Sequence, residues 1–308
     1  MGERVVSNDE VSGSIPLSST RFSLTDRFAK FAVADWSGAK GSRHPGIALA
    51  VCGSGDAAPA LIAPPGRYWS REGVLDWLLA HSGEDLLIGF DFSFAPPYVA
   101  RDAYLPGDTT ADTAHAFWTY VDACCDDDDL GAASFLEIRH RRHFWLGKAD
   151  GRKADFLHNR VCELTYNEAG GGKPSTVFDA LGAAQVAKAS FAGMRLLAQL
   201  RGHVPVWPFD PVPDRGATVV EIYAQIAARA TGLRKGLSKI RDAEALDAAL
   251  ACFGSRRHAP LDRYTDHATD AILTAAWLRY VHRDRALWVP PAMTAEVART
   301  EGWTFGIR

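Results

Sequence analysis

Two short apolar runs, each ending on an acid, set the frame of this chain. Phe31-Ala32-Val33-Ala34 leads into Asp35-Trp36-Ser37-Gly38, and Leu86-Leu87-Ile88-Gly89-Phe90 leads into Asp91-Phe92-Ser93. Runs this short, without polar alternation, suit strands covered on both faces. Each acid then falls at a strand end, where side chains leave the packed layer. Gly38 lets the chain turn where a Cβ would clash. Side by side, the two strands would bring Asp35 and Asp91 together. Between them, residues 46–53 and 58–63 read as two more strands joined by Ser54-Gly55-Asp56 and stopped by Pro64-Pro65-Gly66. Ser70 then caps a helix with Val74, Leu75, Trp77, Leu78 and Leu79 at helical spacing. Strand–strand–strand–helix–strand, with an antiparallel meander first, predicts an α/β fold.

Beyond Pro96-Pro97 the pattern is mainly helical. Residues 113–125 read as a helix on which Cys124 and Cys125 pack inward. The run Asp126-Asp127-Asp128-Asp129 lacks the alternating ligands of a calcium loop and reads as a solvated turn. Arg139-His140-Arg141-Arg142-His143, with Lys148, Arg152 and Lys153, is the one concentrated basic stretch. With Phe144 and Trp145 inside it, it reads either as a phosphate clamp that stacks bases or as a basic loop over a buried aromatic pair. Gly170-Gly171-Gly172-Lys173 lacks the spacing of a Walker loop. A long helix over 178–200, a short strand at 206–209 and a strand over 218–223 follow, the last with Glu221 inside its apolar run. Helices are expected over 224–231 and 242–252, with a basic loop at 234–239 between them. A helix from Asp266 through Leu278 carries Asp266 and Asp270 on one face. Residues 1–27 are polar and Ser-rich, without the apolar core of a secretory signal, and read as a flexible arm.

Composition adds bounds. With 308 residues, 47% hydrophobic and 23% charged, the chain is long enough for a sizeable core. A formal net charge of −3 gives no broad attraction for nucleic acid and leaves only a local patch. No apolar run approaches the roughly 20 residues that span a bilayer, so no membrane partner is expected. The five cysteines fit neither a zinc framework nor a disulfide framework. Reduced thiols without an export signal point to a cytoplasmic location.

The acids at strand ends and at the last long helix are Asp35, Asp91, Glu221, Asp266 and Asp270. Carboxylates gathered in one place raise one another's pKa unless a cation sits between them. Mg²⁺ or Mn²⁺ is the natural partner for such oxygen ligands, and ions so held can hydrolyse phosphate esters. Each acid also has a structural reading: Asp266 and Asp270 suit a helix N-terminus, and Glu221 could pair with an arginine.

Asp35-Trp36-Ser37-Gly38, Gly89-Phe90-Asp91-Phe92-Ser93, Val220-Glu221-Ile222-Tyr223, Asp266-His267-Ala268-Thr269-Asp270-Ala271 and Glu301-Gly302-Trp303-Thr304-Phe305-Gly306 occur in this order. So do Gly182-Ala183-Ala184-Gln185-Val186, Gly193-Met194 and Trp207-Pro208-Phe209. Together, over roughly residues 30–307, they resemble the family called domain of unknown function 429, placed among ribonuclease H-like folds as predicted nucleases. The resemblance implies a mixed five-stranded ribonuclease H-like sheet flanked by helices, in a single domain over 28–308 with a large helical insertion at about 98–205. It matches Asp35 and Asp91 to the acids of the first and fourth strands, and Asp266 and Asp270 to the acids of the last helix. Glu72 and Asp76 are candidates for a further acid on the first helix, with solvent exposure as the alternative.

The expected function is that of a metal-dependent phosphodiester or phosphate-ester hydrolase. Asp35, Asp91 and Asp270 would be catalytic, with Asp266 and Glu221 as further metal ligands. Ser37, Ser93, Arg141, Arg142 and Lys239 would bind a phosphate-containing small molecule or nucleic acid. The alternatives are a nucleotide-binding phosphotransferase of the actin and sugar-kinase type, and a binding protein that kept the fold without the chemistry.

Overall fold

The computed structural model describes residues 27–108, 111–181, 186–232 and 239–308. The expected arm therefore lies outside the described residues except for Arg27. That residue belongs to the folded body: it is buried and pairs with Asp85 at 3.2 Å. Residues 182–185 and most of the 234–239 loop also lie outside the described residues.

The first half follows the expected order: β1 (Lys30–Asp35), β2 (Ala48–Gly53), β3 (Ala60–Leu61), α1 (Arg71–Ala80) and β4 (Leu86–Phe90). Every described element between β4 and the next strand is helical: α2 (Ala114–Ala123), single turns across residues 135–156, α3 (Val161–Glu168) and α4 (Val186–Leu200). Then come β5 (Val206–Trp207), β6 (Thr218–Glu221), α5 (Ala224–Ala230), α6 (Ala243–Ala251), α7 (Asp266–Val281), α8 (Arg285–Trp288) and α9 (Ala295–Thr300). The strands form one mixed sheet in the order β3-β2-β1-β4-β6-β5. Pairing is antiparallel from β3 to β1 and parallel from β1 to β5. The sheet has six strands rather than five, because Val206-Trp207 joins β6 as a short parallel edge.

Alternation along the strands divides two apolar layers. Ala32, Ala34, Ile88, Phe90 and Val219 face one layer, with Phe117 of α2 and Phe191 and Leu197 of α4. Phe31, Val33, Leu87, Val220 and Ile222 face the other, with Ala227 of α5, Leu246 of α6 and Ile272 and Ala276 of α7. Helices on both faces explain why β1 and β4 read as unbroken apolar runs.

Two local features differ from the sequence expectation. Gly38 does not adopt positive φ; a Cβ there would lie 2.3 Å from the Ala189 backbone nitrogen, so glycine is needed for the close approach of the β1 exit to α4. The acidic run is not wholly solvated either. Asp129 is buried, accepts from the backbone N–H groups of Arg71 and Glu72 at the start of α1, and lies 2.8 Å from His44 Nε2. It stabilises the exposed N–H groups of α1 from a distant loop, in addition to the local Ser70 cap.

Candidate functional site

The parallel register sets Ala34 beside Phe90, so β1 and β4 deliver Asp35 and Asp91 to the same sheet edge. The Asp91 backbone N–H continues the pairing to Ala34 O at 3.3 Å. Across that edge lies the start of α7, capped by Thr265, whose Oγ1 accepts from Ala268 N at 3.2 Å. Neither Asp266 nor Asp270 is the cap. This frees the first two turns of α7 to direct His267 and Asp270 at the strand ends. A cavity of about 550 Å³ opens there, lined by Asp35, Ser37, Asp91, Ser93, His267 and Asp270 among others. A side pocket of about 220 Å³ adjoins it, reached by Asp91, Asp270, Tyr223 and Lys239.

The site is electrostatically strained toward negative charge. Burial pushes the Asp91 carboxyl well above the carboxylate range, and the charges of Asp35 and Asp270 push it further; only the Ala224 N–H at the start of α5 is a notable offset. Burial, then Asp35 and Asp266, raise Asp270 to about 7. Asp35 is also raised by burial, despite His267 Nδ1 at 2.8 Å from its Oδ1. His267 is itself raised, chiefly by that hydrogen bond. Among the described residues, no cation pairs with Asp91 or Asp270.

Two of the expected ligands are already satisfied. Glu221 is buried, and its oxygens accept from Arg160 Nη2 at 2.6 Å, Arg160 Nη1 at 2.7 Å, Thr304 Oγ1 at 2.5 Å and Phe94 N at 2.7 Å. With both oxygens engaged twice, it offers no free position to a metal ion. Its arginine partner, also hydrogen-bonded to Glu163 and to Glu301 O, pins the loop after β4 and the chain end to β6. Asp266 pairs with Lys239 Nζ at 2.7 Å and with Arg241 at 2.5 Å, and these cations hold its carboxyl below the usual range although burial opposes them. It anchors two cations at the cavity rim.

The expected phosphate-binding residues divide in the same way. Ser37, Ser93 and Lys239 reach the cavity or its side pocket. Arg141 and Arg142 do not: Arg141 pairs with Asp150 at 2.5 Å, and Arg142 pairs with Asp108. Glu72 and Asp76 are exposed on α1 and do not line the cavity. His267 was not singled out from the sequence, although it stands between the two acids that were; Arg160 was missed because nothing local marks it as the partner of Glu221.

The donor set of three carboxylates, with its excess negative charge, fits a hard dication. Its oxygens do not all lie within 4.8 Å of one another; among the described residues the one trio of candidate ligands that does is Asp108, His140 and His143. Compared with family models, curated proteins and solved structures, the chain matches none.

Proposed function

We propose that this protein is a metal-dependent hydrolase of small phosphate esters or phosphodiesters, on a sheet of ribonuclease H-like type. One observation carries the reading: Asp35 and Asp91 end at one sheet edge opposite Asp270 of α7, in a cavity where burial raises all three carboxyls and a neighbouring carboxylate pushes each further up. Supporting the fold are the antiparallel β3-β2-β1 meander, the parallel β4 and β6, and the resemblance of the acid-bearing motifs. The cavity volume suits a nucleotide-sized ligand. The pairing of Arg141 and Arg142 away from it removes the expected contact surface for a long nucleic acid.

Asp35 and Asp91, with Asp270 beside them, would hold Mg²⁺ or Mn²⁺, which when bound supplies positive charge at the phosphate oxygens and acidifies a water. Asp270, which lines the same cavity and faces both strand-end acids, would take the proton of the attacking water. The water oxygen forms the new P–O bond, the ester P–O bond breaks, and His267, held protonated by Asp35, gives its proton to the leaving oxygen. Ser37 and Ser93 offer hydroxyl donors to the phosphate, and Lys239 a positive charge from the side pocket.

The test is a screen of bis(p-nitrophenyl) phosphate, cyclic nucleotides and nucleoside di- and triphosphates with Mn²⁺, with EDTA, and with Asp91→Ala. Turnover that needs Mn²⁺ and Asp91 is expected. Turnover indifferent to EDTA would remove the metal from the proposal, and ATP cleavage that needs a phosphate-accepting co-substrate would favour a phosphotransferase.

A further inference from the structure

The trio that does converge lies away from the carboxylate cavity, in the helical segment after β4. His140 Nδ1 is 3.0 Å from Asp108 Oδ2, and His143 Nε2 is 2.6 Å from the same oxygen. The two imidazoles are shielded, with 5% (His140) and 9% (His143) of the side chain exposed, while Asp108 is an exposed residue whose side chain is 20% exposed. We propose that Asp108, His140 and His143 form a zinc site with three protein ligands and a fourth position for water, tying the loop after β4 to the turn at residues 139–143.

Two features of the geometry support this. A tetrahedral ion with ligands at about 2.0–2.1 Å has edges of about 3.3 Å, so the 3.0 Å separation from His140 is close to that spacing and the 2.6 Å separation from His143 has to open by about 0.7 Å, while all three ligand atoms already lie within 4.8 Å of one another. On His140 and Asp108 the remaining polar atoms are held as ligands of a bound metal usually are, whereas Arg142 Nε, which donates to His143 Nε2 at 3.3 Å, would have to turn away. His140 Nε2 lies 3.0 Å from Tyr120 Oη, so donating its proton there leaves Nδ1 as a lone-pair ligand. Asp108 Oδ1 accepts from Arg142, which leaves Oδ2 to face the two rings. The charge of Arg142 opposes a dication, but its side chain is 60% exposed and screened by solvent. The ligand chemistry of two imidazoles and one carboxylate is that of zinc and its first-row neighbours rather than Mg²⁺.

The experiment is equilibrium dialysis of the full chain against ZnCl₂, with bound metal counted by mass spectrometry and Co²⁺ substitution followed by visible absorption. Because the carboxylate cavity could also take metal, Asp91→Ala is dialysed in parallel. Expected are one zinc per chain and tetrahedral Co²⁺ bands in Asp91→Ala, at least as much in wild type, and loss of both signals when His143→Gln or Asp108→Asn is added to Asp91→Ala. Arg142→Gln should retain zinc with affinity weakened roughly 10- to 100-fold. Far-UV circular dichroism controls for folding of the variants. Should either ligand variant fail to fold, zinc should still raise the melting temperature of the wild type and of Asp91→Ala alike. Absence of zinc from the wild type, or zinc retained undiminished when His143→Gln is added to folded Asp91→Ala, would overturn the proposal, as would zinc lost in folded Asp91→Ala alone.

Discussion

His267 Nδ1 sits 2.8 Å from Asp35 Oδ1, joining the first turn of α7 to the end of β1 across 232 residues of sequence. The contact turns a strand-end acid and a helix-start histidine into one proton-sharing unit. It also gives Asp35 a favourable partner in a cavity where, among the described residues, Asp91 and Asp270 have no paired cation. Through it, the cavity's chemistry depends on how α7 lies against β1 and β2.

The pH dependence of stability follows from the raised carboxyls. A folded-state pKa above the unfolded value contributes stability that is fully present below the unfolded pKa and lost as pH rises through the folded one. For Asp270 this runs from about 4 to about 7. The metal-free protein should therefore lose stability over that window, and Asp270→Asn should be more stable than wild type at pH 8, by about 1–2 kcal/mol after discounting for partial exposure. Urea denaturation at pH 5 and pH 8 in EDTA measures both. Mn²⁺ should narrow the gap by stabilising wild type more.

Asp91→Ala and His267→Gln should act differently on turnover. Asp91→Ala should abolish metal-dependent hydrolysis, by roughly 1,000-fold or more, with the fold retained. His267→Gln, having lost a general acid, should reduce kcat about 100-fold while sparing p-nitrophenyl esters, whose leaving group needs no proton. Comparing p-nitrophenyl with alkyl phosphodiesters separates the two; equal losses on both would remove His267 from the role of acid.

Glu221→Gln should harm stability rather than chemistry alone. It leaves Arg160, buried and bonded to both of its oxygens, partly uncompensated. Breaking such a pair costs about 3–5 kcal/mol. A matching fall in the denaturant midpoint is expected. A variant as stable as wild type but inactive would return Glu221 to the ligand set.

Gly89→Ala should destabilise through close packing in the sheet. Its Cβ would lie 2.6 Å from Ile222 Cγ2, and such overpacking costs about 1–3 kcal/mol. Ile222→Ala in the same chain should recover part of that loss, which a double-mutant cycle by thermal denaturation reads directly.

Residue pattern alone determined much of the scaffold. Strand-end acids on unbroken apolar runs, Ser70 as a helix cap, and the helices α1, α2 and α6 all appear where local spacing put them, because capping and burial periodicity act over a few residues. Parallel pairing of β1 with β4 then made Asp35 and Asp91 neighbours, a consequence of two similar runs in one sheet. Tertiary structure decided which acids are free. Glu221 and Asp91 both follow apolar runs, yet one meets Arg160 from 61 residues away and the other meets no cation among the described residues. Asp129 left solvent for the start of α1, and the basic stretch was spent on Asp108 and Asp150. A carboxylate's state depends on the charges within a few ångströms of it, and those are set by the folded path of the chain rather than by its order.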